Sequence, residues 1–213
     1  MFGKRRCVYL KLDLTLYFVT EEAVSLDALL SIVEQAIEGG VTLVQLREKS
    51  SDGKVFYEKA KKLKELLDRY DIPLIINDRI DVALAVNAAG VHVGQSDLPL
   101  HAVKNVLPKS MIVGVSVSTV EEALVAQQGG ASYLGVGAAF PTGTKSDAKV
   151  LLDGQLEEIT RSVSIPTVAI GGITLENIET LQETGIAGVA VVSALMKAKN
   201  PTQIARKFCR KWE

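Results

Sequence analysis

The sequence predicts a single α/β domain folded as a (β/α)8 TIM barrel, and three observations predict it. Short apolar strands and amphipathic helical segments alternate eight times along the chain. Polar residues follow many of the strands, and no GxGxxG fingerprint follows the first, which sets the pattern against an open doubly wound sheet. With residues 1–13 set aside as an N-terminal arm, residues 14–213 allot about 25 residues to each unit, the compact end of what such a barrel requires.

The first strand is read at 14–20, a run rich in β-branched and aromatic side chains. The period then changes over 21–38, with Leu26, Leu29, Leu30, Val33 and Ile37 at helical spacing, and the helix stops at Gly39 and Gly40. A second strand at 41–47 runs into alternating Gln45, Arg47 and Lys49. Asp52 is expected to cap the next helix, which extends to about Tyr70 with Phe56, Ala60, Leu63, Leu66 and Leu67 inward. Pro73 opens the third strand, and a helix-like segment at 79–87 separates it from the fourth, near Val91. Later strands centre near Ile112, Tyr133, Thr167 and Val189. Glycines at 39–40, 90, 129–130 and 185 are expected to end helices in the left-handed conformation just before a strand.

Composition narrows the class. A chain of 213 residues with 47% apolar residues buries a full core, and a net charge of −1 removes any global basic field for nucleic acid or acidic membranes. An anion must therefore be held locally. Cys7 and Cys209 lie near opposite ends without CxxC spacing, so no disulfide or metal framework is expected and a reducing compartment fits. The basic start is followed by Lys11 and Asp13 with no long uncharged run, so neither a secretion signal nor a membrane span is read, and a cytoplasmic location is expected.

The candidate chemistry begins with Asp78 and Asp97. Each follows an apolar run, and if both runs are adjacent parallel strands the two acids emerge at one C-terminal edge. Two carboxylates with room for waters and ligand oxygens suit Mg²⁺, which usually meets a substrate phosphate. Arg47 and Lys49 share one parity at the end of the second strand and can hold phosphate oxygens, while Gln45 lies deeper and can read the edge of a heterocycle. Ser116 ends the fifth strand and offers a hydroxyl to the same space or an N-cap to the next helix, a role for which Ser118 competes.

Phosphate is often bound by the loops after strands seven and eight of such barrels. Gly171 and Gly172 follow the seventh strand and leave backbone N–H groups open; Val192 and Ser193 follow the eighth and start a helix, although Ser193 can equally be a simple cap. The long sixth loop, 139–149, adds Thr142, Gly143, Thr144 and the cation Lys145. His92, mid-strand, reads as a packed and hydrogen-bonded core residue in preference to an acid or base, and His101 as surface. No nucleophile-plus-base motif is present, so covalent catalysis is unsupported. Residue chemistry alone thus reaches a Mg²⁺ site with a polyphosphate held by Arg47, Lys49 and Lys145, plus a second phosphate site.

The segments QLREK (45–49), NDRIDVALAVNAAGVHVGQSDLP (77–99), VGVS (113–116), FPTGTK (140–145), AIGGI (169–173) and VVSAL (191–195) stand in an order and at separations that resemble thiamine phosphate synthases over 16–208. The resemblance implies a Mg²⁺-dependent transferase. It would join hydroxymethylpyrimidine diphosphate to thiazole phosphate, or its carboxylated form, giving thiamine phosphate and pyrophosphate. Carried over by position, it implies Asp78 and Asp97 as metal ligands. It places the pyrimidine diphosphate among Gln45, Arg47, Lys49, Asn77, Ser116 and Lys145, and the thiazole phosphate at Thr142, Gly143, Thr144, Gly172, Val192 and Ser193. Catalysis would fall to Lys145, Arg47, Lys49 and Ser116. Two positions depart from the common pattern: Ala138-Ala139 stands where Gly-Pro is usual, and Ala89 replaces a frequent Asp. A thiazole tautomerase relative, a non-catalytic binder of thiamine precursors and a phosphosugar isomerase are the alternatives; the intact diphosphate clamp and metal acids argue against the first two, and the lack of a clear acid–base pair against the third.

Overall fold

The computed structural model describes residues 12–22, 24–143 and 149–212. Eight parallel strands close into a barrel in sequence order: β1 (Leu16–Val19), β2 (Leu43–Leu46), β3 (Leu74–Asn77), β4 (Gly90–Val93), β5 (Ile112–Val117), β6 (Tyr133–Gly137), β7 (Thr167–Ile170) and β8 (Gly188–Val191), with β8 paired back onto β1. The helices are α1 (Leu26–Glu38), α2 (Gly53–Asp68), α3 (Ile80–Ala85), α4 (Leu100–Val106), α5 (Val120–Gln128), α6 (Gln155–Ser162), α7 (Ser193–Met196) and α8 (Pro201–Trp212). A 3-10 helix, Ile178–Thr184, takes the place of an α-helix between β7 and β8. The barrel class expected from alternation is the fold observed.

Strand parity divides the apolar residues into two cores. Leu16 and Phe18 of β1, Val44 and Leu46 of β2 and Ile76 of β3 face the helices, where they meet Leu29, Val33, Phe56, Leu63 and Leu67. Tyr17, Val19, Leu43, Ile75, Tyr133, Val168 and Ala190 fill the inside of the barrel as a separate cluster. Each fully buried Leu or Phe contributes about 1.5–3 kcal/mol, so the outer layer supplies most of the cohesion. The inner layer is thinner and shares the barrel interior with the buried polar side chains of Gln45 and His92.

Several local expectations are corrected. Helix α1 starts at Leu26, later than the periodicity suggested, because Ser25 caps it by accepting from Ala28 N at 3.3 Å. Asp52 sits at the N-cap of α2 but makes no side-chain cap hydrogen bond. Gly90 ends no helix: it is the first residue of β4, and the left-handed residue before it is Asn87, at φ 56°. A Cβ at Gly90 would lie 2.1 Å from Ile112 O, so close strand packing explains that glycine. Neither Ser116 nor Ser118 caps α5; Thr119 does, while Ser118 donates through N and Oγ to the Glu122 carboxylate. Gly40, Gly130 and Gly185 take positive φ as expected.

Candidate active site

The mouth of the barrel at the strand C-termini is built from β2 onward. Thr20 N donates to Gln45 O at 2.9 Å, and Arg47 N donates to Thr20 Oγ1 at 3.1 Å, which continues β1–β2 pairing to the rim. Glu22, just beyond β1, then clamps the following turn: its carboxylate accepts from Lys49 N (3.0 Å), Ser50 N (2.9 Å), Ser50 Oγ (2.8 Å) and Ser51 Oγ (2.9 Å). Desolvation alone would raise the Glu22 pKa, but these donors together hold it at about 2. The clamp fixes the backbone that carries Lys49.

Asp78 follows β3 in the left-handed region, at φ 58°, and its N donates to His92 O at 2.9 Å. For a residue with a Cβ this conformation costs about 1–2 kcal/mol, a strain that a packed fold tolerates where function uses it. Asp97, on the loop after β4, accepts from Gly94 N through Oδ2 at 2.8 Å. Burial pushes the Asp78 carboxyl above its ordinary value; Lys49 opposes that shift, and the neighbouring Asp97 reinforces it. The two acids of the sequence therefore face one another, and the Lys49 ammonium is hydrogen-bonded to Asp78 Oδ2. A lysine cation stands where a carboxylate pair calls for positive charge. Among the described residues no group of three or more His, Cys, Asp or Glu forms a metal cage. Two carboxylates alone would leave positions for water and phosphate oxygens, which is how Mg²⁺ is commonly held.

Beneath this rim, five polar side chains join in one line across the barrel interior. Gln45 Nε2 donates to Tyr17 OH; Tyr17 OH and Tyr133 OH lie 2.8 Å apart; Tyr133 OH and His92 Nδ1 2.9 Å; His92 Nε2 and Ser116 Oγ 2.8 Å. Burial lowers the His92 pKa to about 4, against the attraction of Asp97 and with the help of Lys49, so the ring is neutral at neutral pH. His92 is the packed, hydrogen-bonded residue expected of it. Asn77 is 6% exposed and its Nδ2 has no partner among the described residues. An unpartnered buried donor costs about 1–3 kcal/mol.

The opposite rim is backbone. Ala139 N donates to Ile170 O (2.9 Å) and Phe140 N to Gly171 O (3.0 Å), joining the loops after β6 and β7. Gly172, at φ 65°, lies so close to this seam that a Cβ would meet Pro141 O at 2.4 Å. The Ala138-Ala139 departure is thus accommodated through main-chain pairing. Asn177 Nδ2 donates to Gly172 O at 2.9 Å and steadies the turn. Thr142 and Gly143 lie on this loop, half-buried and exposed respectively; Thr144 and Lys145 lie outside the described residues. Ser193 is exposed and is the first residue of the single-turn α7, and Val192, not Ser193, occupies the N-cap.

The family model described as thiamine monophosphate synthase matches residues 16–195, which spans all eight strands. The chain belongs to the thiamine monophosphate synthase family. It is 53% identical over 199 residues to a thiamine-phosphate synthase of Ruminiclostridium cellulolyticum, covering 93% of this chain and 95% of that protein. It is 51% identical over 190 residues to one of Methanobrevibacter smithii, at 89% and 91% coverage. A solved thiamine phosphate pyrophosphorylase from Pyrococcus furiosus superposes with a TM-score of 0.86 at 39% identity, covering 94% of this chain and 96% of that one.

Within this family frame, the structure brings Gln45, Arg47, Lys49, Asn77, Asp78, Asp97 and Ser116 to neighbouring strand ends, β2 to β5. Gly172, Val192 and Ser193 are placed at the ends of β7 and β8. Sequence reasoning missed Tyr17, Tyr133, Glu22 and Gln95, whose Nε2 donates to Ser116 O at 2.7 Å. Tyr17 and Tyr133 share inward parity with polar Gln45 and His92, a signal visible only once the registers are known. Glu22 gave none, since an acid after a strand resembles any solvated turn.

Proposed function

We infer that this chain is a transferase joining hydroxymethylpyrimidine diphosphate to thiazole phosphate, with formation of thiamine phosphate and release of pyrophosphate. The observation that carries the reading is the facing Asp78 and Asp97 carboxylates with Lys49 between β2 and β3, in a chain that relatives named thiamine-phosphate synthase match at about half identity over most of their length. Small phosphorylated molecules are the partners this implies. No helix among the described residues is long and apolar enough to cross a membrane, and a cytoplasmic location is proposed on the cysteine usage.

Asp78 and Asp97 are proposed to hold Mg²⁺, which when bound would supply positive charge to the diphosphate oxygens as the leaving group departs. The fit rests on their own chemistry: two opposed carboxylates, one with its pKa raised by burial and by the other, and already paired with a cation. Arg47, Lys49 and Lys145 grip the diphosphate, and Lys49 exchanges its carboxylate partner for phosphate oxygens. Gln45 and Asn77 orient the pyrimidine ring, with Asn77 Nδ2 finding there the acceptor it lacks. Thr142, Gly143, Thr144, Gly172, Val192 and Ser193 hold the thiazole phosphate through hydroxyls and open main chain.

The bond from the exocyclic methylene to the diphosphate oxygen breaks, and its electron pair leaves with pyrophosphate. The aminopyrimidine stabilises the carbocation until the thiazole nitrogen lone pair closes the new C–N bond. No protein base is required, which agrees with a neutral, buried His92 and a rim of cations, hydroxyls and amides. Rate acceleration then comes from alignment and from charge placed on the departing group. Incubation with both substrates tests this: thiamine phosphate should form only when neither is omitted, and its absence despite bound thiazole phosphate would contradict the reading.

A further inference from the structure

The line from Gln45 to Ser116 contains four hydrogen bonds, and their hydrogens can be counted. Gln45 Nε2 is a donor only, so Tyr17 oxygen accepts from it and the Tyr17 hydrogen is left for Tyr133. Tyr133 oxygen then accepts, and its own hydrogen goes to His92 Nδ1. With Nδ1 accepting, the ring hydrogen lies on Nε2 and is donated to Ser116 Oγ. The Ser116 hydrogen is thereby left for the mouth of the barrel.

We propose that this hydrogen-bond chain is directional, with Tyr133 and His92 acting as positioning residues that turn the Ser116 hydroxyl into a donor toward the diphosphate. The proposal rests on the reading of the site as a pyrimidine diphosphate seat, which it deepens. Only one other setting leaves no buried hydroxyl hydrogen without a partner. If Gln45 presented Oε1 to Tyr17, every hydrogen would reverse, His92 would carry its hydrogen on Nδ1, and the Ser116 hydrogen would be spent on Nε2. The Gln45 amide is the switch between the two. With Nε2 turned to Tyr17, Oε1 is the end that suits a ring amino group, so recognition of an aminopyrimidine and donation by Ser116 are coupled.

The line is a built feature. Tyr17 and Tyr133 sit at 1% and 0% exposure inside the barrel cluster of Leu14, Val19, Leu43, Ile75, Val168 and Ala190, where each polar hydrogen needs a protein partner. Two glycines make room for it. A Cβ at Gly114 would come within 2.2 Å of Tyr133 Cζ and 2.5 Å of His92 Nδ1, and one at Gly135 within 3.2 Å of His92 Cε1. Both glycines are paired across the sheet with members of the line, Gly114 with His92 and Tyr133, Gly135 with Ser116. Ser116 is held from its other side as well, because Gln95 Nε2 donates to its carbonyl.

The first test is the tautomer of His92 in the full-length chain labelled with ¹⁵N-histidine, with a His101→Gln variant to assign the two rings. A neutral ring protonated at Nε2 is expected; a ring protonated at Nδ1, or at both nitrogens, overturns the proposal whether or not the protein turns over. The second is a cycle of variants. Tyr133→Phe should lower kcat roughly tenfold, the loss of one donor to a charged oxygen, yet cost nothing further in a Ser116→Ala background. Tyr17→Phe leaves the Tyr133 hydrogen on His92 and should cost far less. Equal losses from Tyr133→Phe in both backgrounds would reduce it to a packing residue and contradict the proposal. Failure of the transferase reading would instead show as no turnover in any variant, with the tautomer still deciding the direction of the line.

Discussion

Lys49 and Asp78, side chains from successive strand ends, form an ion pair at the barrel mouth in which the ammonium caps a carboxylate that also faces Asp97. The lysine thus competes with any metal for the same oxygens. In the absence of substrate, Lys49→Met should bind Mg²⁺ about threefold to tenfold more tightly, the scale of a half-exposed charge interaction, while turnover falls. Calorimetric titration of the ligand-free protein checks the first part; unchanged affinity would remove Lys49 from the metal seat.

Asp78→Asn removes half of the proposed donor set. The Mg²⁺ concentration giving half-maximal rate should rise by about tenfold or more. An unaltered metal titration would take Asp78 out of the site.

Glu22 and Asp78 are carboxylates shifted in opposite directions, and their pH effects differ in sign. Glu22 is held at about 2, below its ordinary 4.5, so its contribution to stability is fully present above pH 4.5 and is lost as pH falls toward 2. The Tm advantage of the native protein over Glu22→Gln should therefore shrink across that window. Asp78, raised above its ordinary 3.8, contributes no such acid loss; its protonation should instead set an acid limb of kcat/KM that Asp78→Asn lacks. A Tm difference independent of pH would mean that Glu22 acts by shape alone.

Gly172 combines φ 65° with a Cβ position 2.4 Å from Pro141 O. Gly172→Ala should cost about 1–2 kcal/mol from the backbone alone and should raise the KM for thiazole phosphate more than that for the pyrimidine diphosphate. Thermal melts and separate substrate titrations read the two effects. An equal rise in both constants would detach this loop from the thiazole phosphate.

The barrel was legible because its period switches eight times and because polar residues recur at strand ends, and the facing of Asp78 and Asp97 followed from two adjacent parallel strands. The interior line was not legible. Tyr17 and Tyr133 lie 116 residues apart and meet only through barrel closure, since β1 and β6 are not neighbours in the sheet. Local boundaries were misjudged where several candidates compete: Ser25 caps a helix read as starting at residue 21, Thr119 displaces Ser118, and Asp52 occupies a cap position without bonding there. Each choice depends on side-chain direction at a chain reversal, which periodicity does not encode. Thr144 and Lys145 remain proposals of the motif.

Lys145→Ala follows from that motif. As a cation on the departing pyrophosphate it should matter to the transition state, so turnover should fall roughly 100-fold with thiazole phosphate affinity nearly unchanged. Comparable losses in both would end the leaving-group role.

The most direct measurement is pyrophosphate release with both substrates present, in Mg²⁺ and again in excess chelator. Release that matches thiamine phosphate mole for mole, requires both substrates and disappears with the chelator is the predicted result. Thiazole phosphate binding with no pyrophosphate released under either condition would contradict the assignment of this rim to diphosphate departure.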